Sequence, residues 1–598
     1  MKTIKQFLWI LFAVIVCGFT AVTMASCGGG DDDEDITGGG SGGNGGSGGS
    51  SHAEMLKTPL TLEAIKAGMI TFKNNAAGPV SYCVNNGAAQ TIESNTEGKI
   101  SIAAGDKVAF YGDNASYLNE VGHSCIMCSA DCYIYGNIMS LITSSDFATA
   151  NKLERNYTFS GLFWEEDLFG VKDHSHIKNH PSHQLMLPAT TLAKFCYSGM
   201  FSGCTGLTNA PELPATTLAE NCYSSMFSGC TGLTKAPELP ATTLASFCYS
   251  SMFEGCTGLT EAPVLPAMTL ASYCYWSMFA GCTGLTEAPE LSAKTLAENC
   301  YSSMFSGCTG LTKAPVLPAT MLAAGCYSGI FSGCRGLTEA PELPATTLAT
   351  GCYSGMFNYC TSLTKAPKLP ATTLAKGCYH QMFECCSSLR EAPELPATIL
   401  SESCYEIMFS GCRGLTEAPK LPATMLADSC YSYMFIGCTG LTKAPELPAT
   451  KMAEFCYTGM FVNCEGLTEA PELPATMLAD SCYSCMFKGC EGLTKAPVLP
   501  ATMLANGCYQ SLFEDCRALT EAPELPAIKL AADCYNKMFS SCVRLSSVTC
   551  LATNISAKDA TKNWLSGVFH TGVFTKAKGV EWPSSTSGIP SGWTVIEK

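Results

Sequence analysis

Residues 196–207 read CYSGMFSGCTGL and residues 222–233 read CYSSMFSGCTGL. The spacing between the copies is 26 residues, and from Leu187 the same pattern is written fourteen times without insertion or deletion. A chain of 598 residues exceeds what one compact core organises, but stacked repeats grow in one dimension and need no larger centre. In the first copy Leu192, Cys196, Met200 and Cys204 stand four apart, with Tyr197 and Phe201 one residue on. This apolar stripe at helical spacing predicts a helix, started by Thr190 or Thr191 and stopped by Gly203 or Gly206. Leu207 to Leu213 is too short for a helix and is interrupted by Pro211, with Pro214 close behind, so it predicts one short strand and a turn. The expected fold is an α/β solenoid of about fourteen coils, each with one short strand and one helix, over residues 187–545.

Stacking in register has a signature inside the sequence, because like charges directly opposite one another destabilise a strand pair. The column beginning at Asn209 runs through Lys235, Glu261, Glu287, Lys313, Glu339, Lys365, Glu391, Glu417, Lys443, Glu469 and Lys495 to Glu521. Of its twelve adjacent pairs nine are opposite in sign and two alike. The two cysteine columns, Cys196 to Cys534 and Cys204 to Cys542, are present in every copy. Two cysteines eight apart on a helix lie about 12 Å apart, too far for a disulfide. The columns are therefore read as a ladder of buried thiols acting as small apolar side chains.

The flanks differ in character. Residues 1–26 carry Lys2 and Lys5, an apolar run from Phe7 to Val16 and small residues up to Ser26, the pattern of an export signal. Residues 27–53 are an acidic and then Gly/Ser-rich tether with a reach of about 25 to 30 Å. Residues 54–133 hold alternating runs, such as Met69 to Phe72 and Lys99 to Ile102, that predict a small antiparallel β domain, with Gly105-Asp106 signalling a hairpin. Residues 134–186 are apolar and aromatic and are read as an N-terminal cap; residues 546–598, with Trp564, Trp582 and Trp593, as a C-terminal one.

Met200-Phe201-Ser202-Gly203-Cys204-Thr205-Gly206-Leu207 and its copies resemble the M-F-x-x-C-x-x-L unit of BspA-like leucine-rich-repeat surface proteins of bacteria, the class built on 26-residue repeats. The likeness covers about 360 residues; Ile330 and Leu512 stand in place of Met, and Ser292 in place of Pro. It implies a leucine-rich solenoid displayed on a cell surface, with adhesion to host matrix proteins or to other cells as its role. Met24-Ala25-Ser26-Cys27 resembles a bacterial lipobox, which implies acylation of Cys27. The acidic stretch Asp31 to Asp35 resembles the signal that sends lipoproteins of some Gram-negative bacteria to the outer face of the outer membrane.

The net charge of −16 with 14% charged residues excludes the clustered cations that nucleic acid requires. No nucleophile elbow, P-loop, dinucleotide fingerprint or zincin motif is present, so no enzymatic activity and no cofactor are expected. Cys125, Cys128 and Cys132 with His123 have ligand-like spacing, but metal knuckles normally come in pairs and this one is single, so no metal is assigned. His174, His176, His180 and His183 surround Pro181 and are read as an exposed connector. Constant residues build the stack, so binding is expected where copies differ: Trp276, His380 and Tyr433 within C-Y-x-x-M-F, and Phe247 and Tyr273 just before the first cysteine. The expected function is a non-catalytic surface lipoprotein whose solenoid binds a host matrix or bacterial surface protein. The alternative is a glycan-binding lipoprotein that assists polysaccharide capture through exposed Tyr and Trp.

Overall fold

The computed structural model describes residues 52–120, 122–163, 176–583 and 585–598. All but Met1–Gly48 belong to one compact unit, Gly49–Lys598. The export segment, Cys27, the tether up to Ser51, Trp164 and His174 lie outside the described residues.

A short helix, α1 (His52–Leu56), leads into strands β1 (Thr61–Ala64), β2 (Gly68–Asn74), β3 (Val80–Val84), β4 (Gln90–Ile92), β5 (Thr96–Ile102) and β6 (Lys107–Gly112). The minor strands β7 (Leu118–Asn119) and β8 (Gly122–His123) pair with each other, and β9 (Cys125–Cys128) and β10 (Cys132–Asn137) follow. After a 3₁₀ turn at Ile138–Leu141 come β11 (Lys152–Leu153), β12 (Ile177–Asn179), β13 (Leu185–Met186) and β14 (Thr191–Leu192). One sheet has the order β12, β10, β1, β6, β3, β4, with β13 also on β10; a second has the order β5, β2, β9. Alternation puts Ile70 and Phe72 of β2 and Val108 and Phe110 of β6 inside. The rings of Phe72 and Phe110 meet at 5.5 Å, joining the sheets through one core.

Every pair among β1 to β10 is antiparallel, and β12 and β13, from the stretch read as a cap, add to β10 in parallel. One expectation fails here. Gly105-Asp106 makes a turn, closed by Ala103 N–H donating to Asp106 Oδ2 at 2.7 Å. It makes no hairpin, however, since β5 pairs with β2 and β6 with β1 and β3. The turn passes the chain from one sheet to the other.

The repeats contain no helix among the described residues, and the expected α/β solenoid with a helix in every coil is corrected accordingly. Residues 245–256 show what replaces it. Cys248, Ser250, Met252, Glu254 and Cys256 donate their N–H groups to the carbonyl three residues back, as in Met252 to Tyr249 at 3.2 Å. The residues between them donate to the next coil, 25 residues on: Phe247 to Ser272, Tyr249 to Cys274, Ser251 to Trp276, Phe253 to Met278 and Gly255 to Ala280. An α-helix would turn all of these to the carbonyl four residues back. The alternation needs a left-handed residue every fourth position, here Phe247 (φ 59), Ser251 (φ 52) and Gly255 (φ 70). The segment is a chain of four-residue turns hydrogen-bonded to its neighbours above and below.

Spacing carries the physical reason. Side chains four apart on a helix rotate about 40° per step, whereas Cys248, Met252 and Cys256 all remain 0% exposed. A period of four, not 3.6, keeps them on one wall. Beyond the two-residue β14 in the first copy, no regular strand lies within a coil among the described residues: the stretch after each second cysteine pairs through single parallel bridges, in columns such as Lys235↔Glu261 and Thr373↔Ile399. Regular strands reappear at the C-terminal end, where β15 (Ser547–Cys550), β16 (Gly572–Lys576) and β17 (Trp593–Glu597) form a parallel sheet.

Inside the coils identical side chains stack. Tyr327 lies 6.0 Å from Tyr353 with an interplanar angle of 2°, and Phe331 lies 5.7 Å from Phe357. Both columns run the length of the repeats. They start on Phe159 and Phe163 of an incomplete first coil, and the tyrosine column ends on Trp564. The hydroxyls of Tyr197, Tyr223, Tyr275, Tyr327, Tyr405, Tyr431 and Tyr509 are buried without a hydrogen-bond partner, an unfavourable state for a polar group. In urea titrations Tyr327→Phe is therefore expected to raise stability by about 1 kcal/mol, because it removes an unpaired hydroxyl and keeps the ring. Phe331→Ala is expected to lower it by about 3 to 5 kcal/mol, with amide-exchange protection lost first in the two adjoining coils. Destabilisation by the tyrosine change would show that the hydroxyl has a partner.

Candidate functional site

The structure brings together three of the five residues singled out by sequence variation. Phe247 and Tyr273, on neighbouring coils, stack at 4.5 Å with an interplanar angle of 8°. Trp276 follows Tyr273 by one turn and is 40% exposed. Their backbones hold them in place: Phe247 and Tyr273 occupy left-handed positions (φ 59 for both) and each donates its N–H to the next coil. The result is a small aromatic patch on the wall of two coils.

His380 stands in the column of Trp276 but four coils further on, ~19 Å away at one strand spacing per coil. Its Nδ1 lies 3.5 Å from Glu406 Oε2 of the next coil. Nearby, Ser332 Oγ donates to Asn358 Oδ1 at 2.8 Å, and Asn358 Nδ2 donates to Glu384 Oε2 at 3.3 Å. Burial raises the Glu384 carboxyl above its ordinary value, against the opposing pull of that hydrogen bond and of His380. Tyr433 is half-buried, and a Cβ added to Gly459 would fall 2.2 Å from its ring. Tyr433 therefore lies flat over the glycine of the next coil, in a packing role. His380 and Tyr433 do not join the aromatic patch.

The cysteine columns are chemically quiet. No disulfide joins the described cysteines, and every member of both columns is buried. The second column hydrogen-bonds to backbone: Cys256 Sγ donates to the Phe227 carbonyl at 3.0 Å, and its counterparts through Cys542, which donates to Phe513 at 3.0 Å, repeat the contact. Burial pushes these thiols up, Cys308 and Cys490 to about 12. The thiolate is the form that attacks disulfides and binds metals, so the ladder is inert near neutrality. Among the described residues no group of three or more His, Cys, Asp or Glu side chains is placed to hold a metal ion.

Sequence variation missed the most exposed apolar side chains, which lie on a different wall. The bridge column Thr217, Thr243, Thr269, Thr295 continues as Met321, Thr347, Thr373, Ile399, Met425, Lys451, Met477 and Met503. Met321 is 65% exposed, and Ile399, Met425, Met477 and Met503 are 59 to 75% exposed. Val264, Val316 and Val498, which interrupt the glutamates of the column at Glu212, are 76 to 80% exposed. The signal was present as a drift from Thr in the first copies to Met and Ile in the later ones.

The charged column at Asn209 is a backbone ladder, since Lys235↔Glu261, Glu261↔Glu287 and Glu287↔Lys313 are successive bridges. Like-charged neighbours bridge as readily as unlike ones, so backbone pairing, not charge, sets the register. Close ion pairs across coils fall in other columns among the described residues, as in Lys194–Glu220 at 2.7 Å, Lys376–Glu402 at 2.8 Å and Lys488–Glu514 at 3.1 Å. Such surface pairs contribute only a few tenths of a kcal/mol each.

The thiol ladder fixes a pH dependence. A cysteine in the unfolded chain ionises near pH ~8.5, whereas those in the coils hold their protons to about 12. The folded state thus binds more protons above the lower value, and stability, complete below it, falls as pH rises through the window between the two. The loss is about 1.4 kcal/mol per pH unit for each thiol. Urea midpoints measured at pH 6, 7 and 9 should be nearly equal for the first two and sharply lower at the third; a flat series would contradict protonated thiols in the core. Against family models, curated proteins and solved structures the chain finds no match, so this geometry alone frames its function.

Proposed function

We propose that this chain is a non-catalytic, lipid-anchored surface protein of the BspA-like kind, displayed on the outer face of an outer membrane, whose solenoid adheres to a protein of a host matrix or of another cell. The observation that carries the reading is the column of Met321, Ile399, Met425, Met477 and Met503, exposed at multiples of the 26-residue period with Thr347, Thr373 and Lys451 between them. Apolar side chains held out of the core at fixed spacing suit a long, shallow contact with another protein. Methionine adapts its shape to irregular partners.

The glycan reading is supported by one observation, the exposed Trp276 beside the stacked Phe247–Tyr273 pair. The two readings separate by mutation. Replacing Ile399, Met425, Met477 and Met503 together by Thr, the residue that other copies carry at that position, leaves the core untouched. This variant is expected to lose at least ~10-fold in affinity for immobilised matrix proteins or intact cells, whereas Trp276→Ala is expected to change it little. The opposite result, with polysaccharide as the ligand, would establish the glycan reading and remove this one.

A further inference from the structure

His180, expected in an exposed connector, leaves only 11% of its side chain in solvent. It opens the loop between β12 and β13. Both strands lie on β10, where Asn179 faces Ile134 and Leu185 faces Gly136, so His180 to Gln184 bulge out over the single residue Tyr135. The imidazole is the hub of that loop. Its Nδ1 accepts the Ser182 N–H at 3.1 Å and the His183 N–H at 3.0 Å. A nitrogen that accepts two amides carries no proton, so the neutral ring bears its one N–H on Nε2, 3.7 Å from Glu63 Oε2.

The surroundings favour the neutral ring. His183 stacks on it at 4.3 Å, and Tyr133 and Tyr135 meet it edge-on at 5.1 and 5.0 Å. Glu63 of β1, the carboxylate facing Nε2, is already engaged: its Oε2 accepts the Tyr135 hydroxyl at 3.1 Å and lies 3.5 Å from Lys107 Nζ of β6. Burial and the neighbouring His183 hold His180 below its ordinary value, with Lys107 adding to them and Glu63 opposing.

The loop sits where the solenoid begins. Asn179, one residue before His180, accepts the Thr208 and Asn209 N–H groups on Oδ1 at 2.7 and 3.0 Å and donates Nδ2 to the Asn209 carbonyl at 2.9 Å. Asn209 bridges to Lys235 as the first rung of the charged ladder. Strand β12 itself stays docked in mild acid, because His176 and Lys178 hold the Asp131 carboxyl down at about 2.

We infer that the His180 loop is an acid-released latch on the joint between the β domain and the solenoid. A proton arriving at Nδ1 takes the lone pair that the two amides share. The loop then opens to hydrate those amides and the imidazolium, and Asn179 loses its fixed seat beside the first rung. The inference concerns the joint alone and holds whichever wall of the solenoid meets a partner. The closed loop binds fewer protons than the open one, so closure is complete above the ordinary imidazole value of ~6.5 and is lost as pH falls through it.

The test follows amide exchange in the full chain at pH 7.5 and 5.0, each rate taken relative to an unstructured peptide at the same pH. The Ser182, His183, Thr208 and Asn209 amides are expected to lose protection ~10-fold at the lower pH, while Ile70 and Phe72 of β2 keep theirs. His180→Asn puts an oxygen where Nδ1 stood, an acceptor that does not titrate, and should make the four amides indifferent to pH. Exchange of the imidazole C–H in the unaltered chain gives the His180 midpoint independently, expected below ~6.5; it decides the matter if the variant's loop is open at both pH values. Unchanged protection in the unaltered chain, an equal loss in His180→Asn, a loss confined to Ser182 and His183, or a midpoint at or above that value would each overturn the inference.

Discussion

Everything in the solenoid follows from how its backbone N–H groups are shared. A buried amide must find an acceptor, and here alternate amides look inward along the coil and outward to the next one, as Met252 and Phe253 do toward Tyr249 and Met278. A coil is therefore incomplete alone. Half of the donors in its turn segment are satisfied only when another coil lies one period away, which is why the period admits no insertion. At the N-terminal end the incomplete first coil donates to the first full one, as Gly161 does to Ser198, and at the C-terminal end the turns between β15 and β16 accept from the last coil, as Trp564 does from Phe539.

Once the amides fix the spacing, the core takes the form of columns. Side chains in register meet copies of themselves, so a residue type is chosen for how it stacks on itself. Phe and Tyr do this through parallel rings near 5.8 Å. Cysteine does it differently: a small apolar side chain fills the wall, and its S–H gives a second donor to a phenylalanine carbonyl that already accepts one amide, as Phe227 does from Cys230 and Cys256. Alanine would fill the space without the donor. The abundance of cysteine is thus a packing solution.

Much of this was legible in advance. The fixed period, the register of the charged column and the buried thiols followed from counting alone. The helix did not survive, and its failure is instructive, because the apolar stripe at steps of four fits a helix over one turn and drifts over three. A second pattern ran beside it. Positions Gly199, Ser225 and Ser251, and likewise Gly203, Gly229 and Gly255, hold residues suited to positive φ in most copies, yet bulky Phe247, Tyr273 and Tyr433 occupy the same kind of position and mask it. The exposed ribbon was missed for another reason: binding residues were sought where composition was irregular, whereas Thr, Met and Ile alternate within an otherwise ordinary column. In the β domain, the Gly105 turn was visible but the sheet change was not, since pairing depends on strands far away in sequence.

The indifference of the bridges to the charges they join has a bearing on how such a molecule changes over generations. A coil's upper face accepts the lower face of almost any other coil, so whole 26-residue units can be lost or duplicated by unequal recombination without leaving a seam. Length becomes a variable that selection can adjust in steps of one strand spacing, while each outward-facing residue travels with its own unit.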